Sequence, residues 1–553
     1  MPLLLRLIDD QKSLLGLVTK MPNKPLQAVS ITSPGYFGLN NQDSGVGMNT
    51  SFAITTYNSV IDRFGRIGTR KGWEYKTTSG GTDTDIQALL EFNNGDNTYT
   101  ILSAGNEAIY TGEATLTALP VRDATDSSDL TYTITENNWQ MIQGEFESGL
   151  TRSPHAFLAQ EDHALLVYHK LGATAHAHTG SFGLQRLGDI GNVPNGYTTS
   201  SFTPNCILAS YGRLWAANIG ADNLTVYYSV LLENTDFTGL GSGYINLEQV
   251  VPGGDEVVAL AEHNNFLVIF CRNNIVIYRN ANDIDNLVLE DVIVGEGCIA
   301  RDSVQNIGTD LIYLSEAGIR SLGRTIQEKS SPVRDLTKNI RDTIISLVSA
   351  ETPAKIRSVY SQKEAFYLLN LPTVNFTICV DLRVFLEDAS ARVTFWDSIN
   401  PKAMFSTHDN RLLLGQTDGI AEYKGYLDNG NRYTFTYYTP YIDFGDSSVT
   451  KMLKKIVVTI VGGGAAGIDI KWALDYNTNY TTGNFSITDR PNSEYNEGEY
   501  AIAEYSSSVF IEQLKQQMTG SGNIVQIGVE ALINGKALSI QKLDIYSVVG
   551  RTI

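Results

Sequence analysis

The sequence predicts an all-β protein: a β-propeller of about six to eight blades, followed by a β-sandwich-like platform domain that the C-terminal region builds together with an N-terminal arm. Three observations carry this reading. The 553 residues include 49 Gly, 28 Tyr and 20 Phe, with few long segments of helical periodicity. Hairpin-like segments recur through the middle of the chain about every 50 residues. After about residue 431 the strands lengthen and alternate more clearly between apolar and polar residues. The chain exceeds the roughly 250–300 residues at which single cores stop growing, so more than one domain is expected.

The N-terminal arm and platform segment are placed at residues 1–80. The opening run MPLLLRLIDDQKSLLGLV has an apolar flavour, but Arg6, Asp9, Asp10 and Lys12 interrupt it and no small-residue cleavage site follows, so secretion is not expected. No run of 18 or more apolar residues occurs, so no membrane span is expected. Ser33 to Trp73 is dense in turn residues. Pro34-Gly35 and Gly38 punctuate it, and Asn40, Asn41 and Asp43 tolerate the backbone angles of turns. Phe52, Ile54 and Val60-Ile61 read as short strands. Arg63, Arg66, Arg70 and Lys71 alternate with Phe64, Ile67 and Trp73, which reads as a cationic strand or turn with an apolar underside.

The propeller is placed at 81–430. Its units begin with ALLEFNNGDNTYTILSAGNEAIY and AFLAQEDHALLVYHK and end with AMFSTHDNRLLLGQTDGIAEY. The second strands of the seven units begin at Thr98, Ala164, Arg213, Phe266, Leu311, Ala365 and Arg411. After a first gap of 66 residues the spacing stays between 45 and 54. That period, with several strands per unit, is a signature of propeller blades, although a row of β-meanders without ring closure has the same local pattern. The long first gap reads as an insertion at about 113–150. Phe266 to Phe270 and Ile275 to Tyr278 are continuous apolar runs, as expected of strands covered on both faces. Asn273-Asn274 between them suits a tight hairpin, because Asn accepts positive φ. A helix is expected at about 332–349, with Ser331 as cap, Pro332 in the first position and Val333, Leu336, Ile340, Ile344 and Leu347 at helical spacing.

From 431 to 553 the strands read as a sandwich with one solvated face per sheet. In the last strand Leu538, Ile540, Leu543 and Ile545 carry the apolar load.

Charge and chemistry narrow the function. A net charge of −19 opposes tight general binding of nucleic acid, which needs cations to neutralise phosphates. Cys206, Cys271, Cys298 and Cys379 show no metal-type spacing and read as buried reduced thiols. His155, His163, His169, His176 and His178 lie within 24 residues, but no cysteine joins them, and surface histidines are the default reading. Gly462-Gly463-Gly464 lacks the Lys-Ser or Lys-Thr of a phosphate loop and reads as a turn. No Gly-x-Ser-x-Gly elbow or calcium loop is present. No catalytic, cofactor-binding or metal residues are assigned, no cofactor is expected, and the chain is not read as an enzyme.

PGYFGLNNQDS followed by NSVIDRFGRIGTRKGW resembles the N-terminal signature of the tail nozzle proteins of short-tailed bacteriophages, the tail tubular protein B family. The segment Tyr313-Leu314-Ser315-Glu316-Ala317-Gly318-Ile319-Arg320-Ser321-Leu322, then Tyr441-Ile442-Asp443-Phe444-Gly445, and the run from Gly528 to Arg551 are similar to the same family. The resemblance implies a structural virion protein, made in the bacterial host cytoplasm and located in the virion tail. It implies a homo-hexameric ring below the portal, in contact with an adaptor ring (tail tubular protein A-like) and with tail fibres or spikes. Genome DNA would pass through the lumen during ejection without specific binding. The alternative is a polysaccharide-binding or -degrading β-propeller protein, which the aromatic content suits.

Overall fold

Seven four-stranded antiparallel units follow one another along the chain in the computed structural model. The structure describes residues 26–78, 85–94, 97–105, 108–119, 139–148, 151–160, 163–171, 178–186, 192–198, 201–323, 334–464, 466–487 and 511–549, with backbone alone between 145 and 186. Blade one comprises Ala88–Asn93, Tyr99–Ala104, Ile109–Thr111 and Thr117–Ala118. Blade two comprises Gln140–Ser148, Thr151–Gln160, His163–Leu171 and His178–Arg186. Blades three to six open with Pro204–Ser210, Val257–His263, Gln305–Asn306 and Arg357–Ser361. Blade seven comprises Ala403–Ser406, Leu412–Gln416 and Gly419–Tyr423, and its fourth strand is Trp73–Tyr75 from the N-terminal region.

The first strands of successive blades touch in a closed circle, and the first strand of blade seven meets that of blade one. This closure separates a propeller from a row of meanders. Each neighbouring pair of blades shares an apolar cluster. Leu260 and Leu267 pack with Trp215 and Val226 between blades three and four. Phe270 and Ile275 pack with Tyr313 and Leu311 between four and five. The runs Phe266–Cys271 and Asn274–Arg279 are buried almost throughout, as strands covered on both faces must be. Burying such side chains contributes about 1.5–3 kcal/mol each, so the ring is held at every blade junction.

The platform is a two-sheet sandwich. One sheet contains Ser59–Ile61, Ile67–Thr69, Leu538–Val549, Lys451–Gly462 and Ile511–Gln517, with Gln27–Thr32 alongside. The other contains Thr55–Tyr57, Tyr433–Tyr438, Val525–Ile533, Gly467–Leu474 and Thr481–Ser486. Ile31, Ile67, Phe435, Ile456, Ile470, Val529 and Ile545 fill the space between them. The second sheet does not stop at the domain border. Thr55–Tyr57 lies parallel to Ala391–Trp396, so the outermost strand of blade six continues into the platform.

Several expectations need correction. The second strand of blade two begins at Thr151, and Ala164 lies in its third strand. Gln140–Ser148 is the first strand of that blade, so the range given to the insertion overlaps a blade strand; residues 120–138 lie outside the described residues. The helix runs over Arg341–Ser349 after a 3-10 turn at Lys338–Ile340, shorter than 332–349. Arg334–Asp335 instead pairs with Gly318–Ser321 as the edge of blade five, and Leu336 N–H donates to Ile319 O. The expected cap at Ser331-Pro332 lies outside the described residues. Of the expected helical stripe only Ile344 and Leu347 lie in the helix; Leu336 and Ile340 precede it and are buried with Ile344 against blades five and six, and Val333 lies outside the described residues.

Asn273 does not adopt positive φ; it and Asn274 hydrogen-bond Asp255, while Asn264 (φ 50°) and Asn265 (φ 65°) make the left-handed turn of the preceding hairpin. In the closing strand Leu538, Ile540, Leu543 and Ile545 are all buried. Their break in alternation comes from a bulge: Thr459 faces Lys542 and Ile460 faces Ile540, leaving Gln541 as the extra residue.

Candidate functional site

The segment from Ser33 to Trp73 lies at the joint between platform and propeller, whereas Tyr313 to Leu322 lies in blade five. Ser33 to Asp43 runs along blade six. Leu39 N–H donates to Val393 O at 2.9 Å, and Ala53 N–H donates to Gly38 O at 2.8 Å. Gly38 is required there: its φ is +77°, and a Cβ would sit 2.7 Å from Val393 N. Asn40 is buried, and its Oδ1 accepts the N–H groups of Gln42 and Asp43, closing an Asx turn. Beyond it, Asn41 Nδ2 reaches Thr343 Oγ1 at 2.6 Å and Gln42 Nε2 reaches Asp342 Oδ2 at 2.8 Å, so the arm also holds the helix.

Arg70 closes the joint. Grouped in sequence with surface cations, it is fully buried. Its five N–H donors are all used: Nε to Asn58 Oδ1 at 3.0 Å, Nη1 to Lys71 O and Asp428 Oδ1, and Nη2 to Ser398 Oγ and Asp428 Oδ2. The guanidinium also lies 4.1 Å from the Tyr433 ring centroid. Asn58, itself in the left-handed region at φ 53°, donates to Asp397 Oδ1 and Thr434 O. One side chain thus ties the N-terminal segment, blade six, the end of the propeller and the first C-terminal strand.

Arg63 faces solvent at the tip of the hairpin between Ser59–Ile61 and Ile67–Thr69, while Arg66 is half-buried and its Nε donates to Asp62 Oδ2 at 2.8 Å. Their guanidinium carbons lie 4.9 and 4.7 Å from the Phe64 ring centroid, and Phe64 is 65% exposed. Other exposed apolar side chains line the outer edges of blades three and four: Tyr244, Val288, Leu289 and Val294.

The axial path through the propeller is crossed by charge. Asp302 sits just before the first strand of blade five, between Arg301 (2.8 Å) and Arg357 (3.0 Å). Arg301 Nη1 donates to Asn205 O of blade three, and Arg357 Nε donates to Gln87 O beside blade one. Burial raises the Asp302 carboxyl, but the two guanidiniums outweigh it and hold the group below the ordinary carboxylate value. Burial in turn lowers the Arg357 guanidinium, opposed by Asp302.

A second link joins blades seven and one. His408 Nδ1 lies 2.9 Å from Glu91 Oε1, its backbone N–H donates to Glu91 Oε2 at 2.6 Å, and its ring stacks on Tyr99 with centroids 3.7 Å apart. Glu91, His408 and Asp409 present ligand atoms within 4.8 Å of one another, a set able to approach a divalent cation. Asp409 is committed to Arg411 at 2.8 Å, and Arg411 also holds Glu113, so the group serves as a blade-to-blade latch. Sequence reading missed it because Glu91 and His408 stand 317 positions apart.

The side chains of His155, His163, His169, His176 and His178 lie outside the described residues. Gly462 and Gly463, at φ +81° and +83°, turn the chain after Lys451–Gly462. All four cysteines are free and buried, and burial pushes the Cys206 thiol up to about 12 and the Cys298 thiol up to about 11. Among the described residues no helix is long and apolar enough to cross a membrane.

No family model and no curated protein matches the chain. Among solved structures it is similar to the WD40 β-propeller domain of Doa1, at 9% identity and a TM-score of 0.32, over 64% of this chain and 96% of that one. A Bacteroides uniformis chain described as a candidate 6-phosphogluconolactonase gives 10% identity and a TM-score of 0.33, over 65% and 92% of the two chains. Kluyveromyces lactis Hsv2p gives 9% identity and a TM-score of 0.28, over 54% and 81%. Likeness at these levels says nothing of activity, and the propeller here rests on its own strand order and closure.

Proposed function

We propose that this chain is a subunit of a hexameric tail nozzle of a short-tailed bacteriophage, a structural virion protein and not an enzyme. One observation carries the reading: the N- and C-terminal segments that resemble that family interweave into a single platform, locked to the propeller through Arg70. A platform built from both ends of the chain is a rigid body suited to ring contacts. Subunits joined head to tail close a ring through heterologous contacts. The Arg301–Asp302–Arg357 cluster across the propeller axis supports a conduit formed between subunits and not through a blade ring.

In this reading the upper face of the ring meets an adaptor ring below the portal. Tail fibres or spikes dock on the outer face, with the segment between blades one and two as a candidate seat. DNA passes through the lumen without specific binding, and an acidic lumen repels phosphates and keeps the DNA from sticking. A lumen lined mainly by Lys and Arg contradicts that part of the proposal. The protein is made in the host cytoplasm and resides in the virion tail.

Light scattering on the purified chain tests the assembly. The reading predicts a particle of six times the 60.6 kDa chain mass. The competing reading is a polysaccharide-binding or -degrading propeller, and a monomeric chain that cleaves bacterial polysaccharide favours it.

A further inference from the structure

The blades differ in how their outer edges end. The outermost strands of blades one, three, five and seven are short: Thr117–Ala118, Gly243–Asn246, Arg334–Asp335 and Trp73–Tyr75. That of blade two, His178–Arg186, is longer but mostly polar in sequence. Two edges are both long and apolar. One, Ala391–Trp396 of blade six, is covered by Thr55–Tyr57 of the platform. The other, Val288–Val294 of blade four, reads VLEDVIV, and among the described residues no strand pairs with its outer edge. Val288, Leu289 and Val294 are exposed on it. Natural sheets cover or blunt an edge of this kind, because an open one invites another chain. In this molecule a platform segment covers the edge of blade six, so a platform segment is the occupant expected on blade four.

The platform holds a segment of the right chemistry. The hairpin between Ser59–Ile61 and Ile67–Thr69 rests its base on blade six, where Thr394 Oγ1 and Trp396 Nε1 donate to Ser59 O at 2.7 and 2.8 Å. Its tip is left in solvent, with Phe64 exposed beside the Arg63 and Arg66 guanidiniums. Arg66 is held by Asp62, whereas Arg63 is in no ion pair among the described residues. An exposed aromatic ring next to an uncommitted guanidinium fits an apolar surface rimmed by carboxylates. Blade four supplies that rim: Asp285 and Asp291 are exposed and in no ion pair among the described residues, while Glu290 faces Arg279. Residues 81–430 hold 43 acidic and 22 basic side chains, and the rest of the chain 17 and 19. Nearly all the negative charge therefore sits in the propeller, and a neighbour's platform approaches it without repulsion.

The two surfaces face different sides of one chain. Blade edges point radially outward, and blade four is separated by blade five from blade six, and by blades five and six from blade seven, the two blades joined to the platform. We infer that the hairpin tip of one copy seats on the outer edge of blade four of the next copy, with Phe64 against Val288 and Leu289 and Arg63 facing Asp291. Two different patches on one chain make the contact heterologous, so it runs head to tail and closes a ring where the turn per copy allows. The inference rests on the reading that copies of this chain associate, and it assigns the contact between them.

Sedimentation velocity of the full chain over a range of concentrations tests it. Wild type is expected to associate. Phe64→Ala and Leu289→Ser, both at exposed positions, are each expected to raise the concentration needed by about tenfold or more, with thermal unfolding unchanged. Arg63→Asp and Asp291→Arg are each expected to stay monomeric alone. An equimolar mixture of those two is expected to associate, because every tip then meets an edge of opposite charge. Association unchanged in Phe64→Ala and Leu289→Ser overturns the contact and leaves a ring held by other surfaces. A mixture of the charge-reversed chains that stays monomeric overturns it as well. Association lost in the variants, from a wild-type particle that does not hold six copies, upholds the contact and contradicts the hexamer. A wild-type chain that is monomeric at every concentration overturns both.

Discussion

Arg70 and Asp428 form a two-pronged ion pair in the protein interior, with Nη1–Oδ1 at 2.8 Å and Nη2–Oδ2 at 2.6 Å across 358 positions of sequence. The pair joins the end of the N-terminal segment to the end of the propeller, at the place where the platform begins. Removing one partner leaves the other charged and buried. Arg70→Met and Asp428→Asn are each expected to lower stability by about 3–5 kcal/mol in chemical denaturation. Arg70→Lys is expected to recover little, because an ammonium cannot satisfy the same planar set of acceptors.

Gly38 presses the N-terminal arm onto blade six. Gly38→Ala places a Cβ 2.7 Å from Val393 N at φ +77°. The backbone strain alone costs about 1–2 kcal/mol, and the contact forces the arm outward. Hydrogen exchange is expected to rise first at the Leu39 and Ala53 amides, which bond across this seam. Unchanged protection there, with normal stability, contradicts the role given to this glycine.

The axial charge cluster predicts an acid response. Asp302 has its native pKa held below its ordinary value of 3.8 by Arg301 and Arg357, against the effect of burial. The native state therefore binds fewer protons than the unfolded state near that pH. Its stabilisation is present in full above pH 3.8 and is lost as pH falls through the native value. The stability gap between wild type and Asp302→Asn is expected to be widest near neutral pH and to narrow below pH 3.8. Denaturant melts at several pH values measure it; a gap that widens in acid contradicts the pairing.

The four buried thiols predict inertness. Desolvation pushes Cys206 up to about 12 and Cys298 up to about 11, and it raises Cys271 and Cys379 as well. The folded chain is expected to react negligibly with a thiol reagent at neutral pH and to release four equivalents on unfolding. Rapid reaction of any one in the native state contradicts its placement.

What the sequence made readable was local. Second strands beginning at Arg213, Phe266 and Leu311 start where their apolar runs and preceding turns put them. Blade two slipped by one strand because Gln140–Ser148 carries polar residues and a glycine at positions where a buried inner strand usually shows a continuous apolar run. The residues of blade seven's fourth strand, Trp73–Tyr75, find their partner at Ala421–Tyr423, a pairing no local pattern encodes. Arg70 looked like its neighbours Arg63 and Arg66 because burial depends on Asp428, far along the chain. The latch of Glu91 with His408 was hidden for the same reason: it depends on ring closure.

Negative-stain imaging of the purified chain tests the central claim most directly. The account predicts class averages with sixfold symmetry, an open centre and seven-bladed bodies attached to a continuous platform ring. Single propeller-and-platform particles at every concentration, or a closed assembly without a central opening, contradict it.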